Sequence, residues 1–296
     1  MSLLTKRLLI VTGKGGVGKS TVSAALGLAL AARGRRTVIA ETGGQERMIR
    51  LFELAGPAGS EPRPAAPNLE VLSIDPRHAL QSELQAQLPI GGIAGRLVDT
   101  RAVAAVAQTA PALRELLALS TIRNLLAGHH DTVVLDAPAT GHAIGMLEVP
   151  RTLQRIARVG PVRQRAESLV RLLEDDRQTA VVLVSTPEDL AVSETLDAWE
   201  RLATTHVPCA GTIANGVLEP LFEAGDEAAL AVVGDGDGPA ARAAVAAAHA
   251  RMAQTAAERE LLRRLPSPLA ELPLIQGDLP PGRAEAAELA GLLEGL

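Results

Sequence analysis

Short runs of consecutive apolar residues alternate along the chain with longer stretches of helical spacing. The apolar runs are Arg7–Thr12 (RLLIVT), Thr37–Ala40, Leu69–Ile74, Thr132–Leu135 (TVVL), Ala180–Val184 (AVVLV), Cys209–Ile213 (CAGTI) and Glu271–Ile275. Each is continuous rather than alternating, the pattern of a strand covered on both faces. Helical stretches lie between them, at Thr21–Arg33, Pro76–Gln87, Pro111–Leu126, Arg151–Leu173, Glu188–Ala203 and Gly282–Leu296. Regular alternation of strand and helix predicts an α/β fold, a mostly parallel sheet sandwiched by helices.

Two segments exceed an ordinary crossover. One is His78–His130, mostly helical; the other is Val217–Pro268, Ala-rich and broken by GDGDG at Gly234–Gly238. They read as helical insertions at about 78–130 and 217–268 that build a helical subdomain on a single domain covering 1–296. No internal repeat is present.

Composition narrows the function classes. Hydrophobic residues make up 47% of 296, enough for a sizeable core, and the net charge is −5. An acidic balance argues against a nucleic-acid partner, and Phe52, Trp199 and Phe222, without any Tyr, offer no base-stacking platform. No apolar run is long enough to cross a bilayer, and Met1–Lys6 leads directly into a strand without a secretory leader. Cys209 is the single cysteine, which excludes internal disulfides and any Cys-cluster metal site. These features point to the cytoplasm, with peripheral association at the inner membrane as a further expectation.

The chemistry starts at Gly13–Thr21, GKGGVGKST. Gly13-x-Gly15-x-x-Gly18 fits a dinucleotide fingerprint, with Glu41 near the position of a ribose-binding acid. Gly13-x-x-x-x-Gly18-Lys19-Ser20 fits a P-loop. Lys19 and Ser20 decide between them. A pyrophosphate on a Rossmann helix needs neither, whereas ATP with Mg²⁺ needs the ammonium on its β/γ oxygens and the hydroxyl on the metal. Backbone N–H groups of Gly13, Lys14, Gly15, Gly16, Val17, Gly18 and Thr21 supply the rest of the cradle. Of 29 Lys and Arg residues only Lys6, Lys14 and Lys19 are lysines, so two of the three sit in this loop. A slender ammonium threads among phosphates where a planar guanidinium fits poorly.

KGGVGKS resembles the deviant, signature-lysine Walker A of the septum-site, chromosome-partition and arsenite-pump ATPases. The resemblance implies that Lys14 reaches the nucleotide of a partner subunit, in a homodimer or in a heterodimer with a paralogous ATPase. Further segments narrow it to the ArsA-type family, which includes the ATPases that deliver tail-anchored membrane proteins. Asp136-Ala137-Pro138-Ala139-Thr140-Gly141-His142 looks like that family's DTAPTGH switch. Ser185-Thr186-Pro187-Glu188 with Glu194-Thr195 resembles its "PE…ET" segment, and Ile74-Asp75-Pro76 a further one. Asn215 matches the adenine-reading Asn, and Leu272-Pro273-Leu274 the C-terminal nucleotide loop. The likeness runs with gaps over the whole chain and is nearest the compact bacterial members of the actinobacterial kind. It implies ATP and Mg²⁺ as cofactors, with the metal held by Ser20 and, through water, by Asp136. Gly141 would let the backbone move when the γ-phosphate leaves. His142 either couples that switch to the partner or only caps and packs.

Four departures carry weight. The family's water-orienting aspartate falls, by strand alignment, at Gly43, leaving Glu41, Gln45 or Glu46 to substitute; hydrolysis is then slow or partner-dependent. Arsenite needs several soft thiolates, so a lone cysteine makes arsenite an unexpected substrate. The region Gly234–Ala248 lacks the CxxC that joins the eukaryotic targeting dimers, so a dimer is expected to close without zinc. Finally, Met146–Arg177 has room for little beyond one helix, so a groove for a hydrophobic or membrane-protein client would draw on this Arg-rich amphipathic stretch and on Leu113, Leu116, Leu117, Leu119, Ile122, Leu125 and Leu126. At helical spacing that leucine stripe is more often core. Two readings stay open: a dimeric ATPase that cycles a client-binding subdomain, and a weakly hydrolysing or non-hydrolysing regulatory subunit of a paralogous ATPase.

Overall fold

A computed structural model of the chain describes residues 2–42, 46–56, 61–75, 79, 111–222, 225–236, 238–275 and 282–296. The strands are β1 (Leu8–Gly13), β2 (Thr37–Thr42), β3 (Arg63–Ala66), β4 (Leu69–Ile74), β5 (Thr132–Ala139), β6 (Thr179–Ser185), β7 (Cys209–Val217) and β8 (Pro268–Pro273). They form one sheet in the order β3-β4-β2-β5-β1-β6-β7-β8. Every neighbouring pair is parallel except β3 with β4. The described helices, numbered in chain order, are α1 (Lys19–Ala32), α2 (Arg47–Leu51), α3 (Pro111–Ala127), α4 (Thr140–Ile156), α5 (Pro161–Glu174), α6 (Asp189–Thr205), α7 (Asp226–Gly236), α8 (Gly238–Leu262) and α9 (Arg283–Leu293).

The continuous apolar runs have the two-sided burial that they predict. Leu9 and Val11 of β1 face a core shared with α1, α2 and α9, where Val22, Leu26, Leu30, Met48 and Leu289 pack. Leu8 and Ile10, one residue out of phase, face the opposite core with Leu119, Ile122, Ile144, Leu169 and Leu202 from α3, α4, α5 and α6. The sheet is therefore a layer between two helical layers, and β1 lies well inside it. Much of the leucine stripe of the first insertion belongs to this second core: Leu116, Leu119, Ile122 and Leu126 are buried in it, with Leu125 packed against it.

The predicted helix Arg151–Leu173 is two helices. Gly160, at φ +96°, opens the turn and Pro161 starts α5 at its first position, where its missing N–H costs nothing. β3 carries no apolar run and was not predicted; it is a half-buried edge strand, where Pro64 is tolerated. The predicted helix Pro76–Gln87 and most of the first insertion lie outside the described residues. Of the second insertion, α7 and α8 are largely exposed, and α8 buries only Ala248 and Leu262 over 25 residues. Among the described residues no helix is long and apolar enough to cross a membrane.

Candidate nucleotide site

Parallel strands place their C-terminal ends on one edge of the sheet, and β1 runs there into the glycine loop. Gly18 caps α1 in the left-handed region (φ +85°, ψ 24°), which glycine adopts without a Cβ penalty. The loop is fastened from behind: Asn215 Nδ2, from β7, donates to the Val17 carbonyl at 2.9 Å. Val17 is itself a core residue. Gly13 is packed so closely against β6 that an added methyl would stand 2.2 Å from the Val184 carbonyl oxygen.

In front of the loop is a cavity of about 440 Å³, lined by Gly15, Gly16, Gly18, Lys19, Ser20, Thr21, Glu41, Thr42, Arg47 and the Asp136–Ala139 segment. Its size is that of small-molecule sites. The register explains how separate strands converge here: Glu41 of β2 pairs with Asp136 of β5, and Val11 of β1 pairs with Asp136 from the other side. Ser20 Oγ donates to Asp136 Oδ2 at 2.7 Å, and Ser23 Oγ to Oδ1 at 3.3 Å. Lys19 Nζ donates to the Lys14 carbonyl at 2.9 Å, folding its ammonium over the loop.

Burial shapes the charges. Desolvation pushes the Lys19 ammonium below its ordinary value, a trend that Asp136 opposes. Desolvation pushes the Asp136 carboxyl up; the Ser20 hydrogen bond opposes this and the neighbouring Glu41 charge adds to it. An anion is favoured at Lys19 and a cation at Asp136, the pairing that a triphosphate with its metal supplies. Glu41 is 2% exposed; its Oε2 accepts from the backbone N–H groups of Arg47 (2.9 Å) and Met48 (3.2 Å), so it caps α2. Its Oε1 and the Thr42 hydroxyl have no hydrogen-bond partner among the described residues, and both residues line the cavity. Hard oxygen donors from Ser20, Asp136 and Glu41 at one place fit Mg²⁺.

Of the sequence-predicted residues, the structure brings Gly15, Gly16, Gly18, Lys19, Ser20, Thr21, Glu41 and Asp136 to the cavity. Lys14 is half-buried within the loop and does not line the cavity, and neither do Gly13, Val17, Asn215, Pro273 or Leu274. Leu274 is 51% exposed just past β8, its N–H bonded to the Val217 carbonyl. Gly43 and Gln45 lie outside the described residues. Arg47 was missed: it enters the wall from the first turn of α2, and only a basic residue soon after the second strand's glycines signalled it. His142, with an exposed side chain, lies 3.4 Å from the mostly buried Glu115 on α3.

Strand, glycine loop, Lys-Ser and helix in this arrangement define a P-loop nucleotide-binding protein of the α/β class. The family described as anion-transporting ATPase (ArsA) matches residues 6–160. The chain is 34% identical over 258 residues to ATPase BagA of Mycobacterium tuberculosis, covering 83% of this chain and 75% of that one. It is 28% identical over 285 residues to an arsenical pump-driving ATPase of Acidiphilium multivorum, covering 90% of this chain and 45% of that one. A similar pump-driving ATPase of Escherichia coli is 27% identical over 244 residues, 42% of its length. The chain belongs to the ArsA ATPase family and is an ATPase of that kind, in a compact form.

Proposed function

We propose that the chain is a Mg²⁺-dependent, dimeric ATP switch. ATP lies along Gly15–Thr21 with Lys19 on its β/γ oxygens, Ser20 and Asp136 hold the metal, and Lys14 reaches the nucleotide of a second subunit. The observation that carries this reading is the Ser20–Asp136 pair at 2.7 Å beside the buried Lys19, in one cavity. Glu41 takes the place of the aspartate that Gly43 lacks and orients the attacking water. Its support is a carboxylate oxygen without a partner among the described residues, in the cavity wall next to Asp136.

The client reading rests on the α4–α5 elbow, where Ile156, Val159 and Val162 are 71%, 84% and 48% exposed. Arg155 and Arg158 are exposed there too, so the elbow offers apolar and cationic groups to a hydrophobic or membrane-associated client. Arsenite is not the proposed substrate. Burial pushes the Cys209 thiol up to about 12, so it is no thiolate at neutral pH. A second reading, a regulatory subunit of a paralogous ATPase, draws on glycine at position 43.

Steady-state ATPase activity measured against protein concentration separates the two. The dimeric switch predicts turnover per chain that rises with concentration and falls by roughly 10²–10³-fold in Lys19→Ala. ATP binding without turnover at any concentration would instead support the regulatory subunit and overturn autonomous hydrolysis.

A further inference from the structure

A second cluster of chemistry-bearing side chains lies at the opposite edge of the sheet. Glu70 is the second residue of β4, and His129 and His130 form the turn between α3 and β5. Both positions are at N-terminal strand ends, roughly 15 Å or more from Asp136 by the rise along a strand. Glu70 Oε2 stands 2.7 Å from His130 Nε2 and 3.8 Å from His129 Nε2. One ligand atom from each of the three lies within 4.8 Å of the other two, and the two imidazole centroids are 4.0 Å apart.

We propose that Glu70, His129 and His130 form a binding site for a divalent transition-metal ion of the zinc class. Two imidazoles and one carboxylate suit such an ion and not Mg²⁺ or Ca²⁺, which take oxygen. Tetrahedral zinc at ordinary bond lengths sets its ligand atoms about 3.3 Å apart. The observed 2.7 and 3.8 Å bracket that separation, so side-chain adjustments suffice. His129 is two-thirds exposed, which leaves an entry path and a fourth position for water.

The orphaned atom of the buried histidine, Nδ1, points the same way. His130 is 5% exposed and its Nδ1 has no hydrogen-bond partner among the described residues. If Nε2 carries the proton and donates to Glu70, Nδ1 is a buried acceptor left bare. If Nδ1 carries it, two lone pairs face each other at 2.7 Å unless a cation lies between them. A metal on Nε2 resolves the second case and leaves Nδ1–H as the outer-shell donor. His130 and Ser120 line one cavity of about 330 Å³, and the buried Ser120 hydroxyl also lacks a partner among the described residues. A water between them would satisfy both. The expectation of no zinc came from counting thiols at a dimer seam; this site uses none and lies within one chain. Its effect would be to clip the α3–β5 turn to β4.

The test is zinc titration of the full chain without nucleotide, against a competing chelating dye, with thermal melts alongside. Uptake of one zinc per chain at about micromolar affinity or tighter is expected, with a zinc-dependent rise in Tm. His129→Ala, at an exposed position, and Glu70→Gln should each weaken uptake by about tenfold or more and remove the rise in Tm. Asp136→Asn should leave uptake unchanged, separating this site from the nucleotide cavity. X-ray absorption of the loaded protein should show imidazole nitrogen and carboxylate oxygen and no sulfur. No uptake at tens of micromolar zinc would overturn the proposal. So would equal uptake by the His129→Ala and Glu70→Gln variants, or uptake lost only in Asp136→Asn.

Discussion

Substituting Gly18 by alanine perturbs the loop in two ways that can be separated. Gly18 sits at φ +85°, and an L-residue pays about 1–2 kcal/mol in the left-handed region. Its new methyl would also stand 2.2 Å from Asn215 Nδ2. That contact is too short to keep, so the amide must swing away and give up its 2.9 Å bond to the Val17 carbonyl. A hydrogen bond of this kind is worth about 0.5–1.5 kcal/mol. Gly18→Ala alone should therefore cost about 2–3 kcal/mol, and Asn215→Ala alone about 1 kcal/mol. In the Asn215→Ala background the methyl meets no amide, so Gly18→Ala should cost only its backbone share. The double mutant should thus be less destabilised than the sum, by about 1 kcal/mol. Urea unfolding followed by the fluorescence of the single tryptophan, Trp199, gives all four stabilities. Additivity within about 0.5 kcal/mol would refute the claim that Asn215 fastens the loop at this contact.

Asp136→Asn should make the nucleotide-free protein more stable at neutral pH while abolishing Mg²⁺-dependent turnover. The native carboxyl titrates above its unfolded value, so the native state binds more protons between the two values and wild-type stability rises as pH falls through that window. The advantage of Asn, measured by thermal melts, should accordingly shrink toward acid pH; an advantage that grew there would contradict the assignment. Gly27→Ala puts a methyl 2.5 Å from Ile39 Cδ1 and 3.3 Å from Leu69 Cδ1 in the core between α1 and the sheet. Ile39 Cγ1 would stand only 2.7 Å away as well. Overpacking of about 1–3 kcal/mol should outweigh the gain of nearly 1 kcal/mol in helix propensity, and Ile39→Ala, which removes both carbons, should cost less in the Gly27→Ala background than alone in urea melts.

The fold was legible where burial on both faces of the sheet left continuous apolar runs. Leu69–Ile74 is β4 residue for residue, and β1, β2, β5 and β6 differ from their runs only at the ends. The ends slipped because polar residues extend strands whose backbone pairing continues past the apolar stretch: Asp136 still pairs with Val11 and Glu41. β8 begins at Pro268, before its predicted start, because a first-position proline on an edge strand sacrifices no ladder bond. The break at Gly160-Pro161 was written in the dipeptide, but the flanking Arg-rich periodicity on both sides masked it. In the site, Lys19 and Ser20 were legible because ATP with Mg²⁺ demands those side chains at that spacing, whereas Asp136 was legible only through the likeness of its segment to the family's switch. The clasp of Asn215 on Val17 and the capping of α2 by Glu41 were not, since both join residues brought together only by the sheet order. The His129–His130 pair carries no periodicity and acquires meaning only opposite Glu70.

Sedimentation velocity with Mg²⁺ and a non-hydrolysable ATP analogue tests the dimeric switch most directly. The wild-type chain should shift from monomer to dimer when the analogue binds. Lys14→Ala should bind the analogue with similar affinity and remain monomeric, because only the reach into the neighbouring subunit is lost. A wild-type chain that stays monomeric with nucleotide bound, or a Lys14→Ala variant that dimerises equally well, would contradict the account.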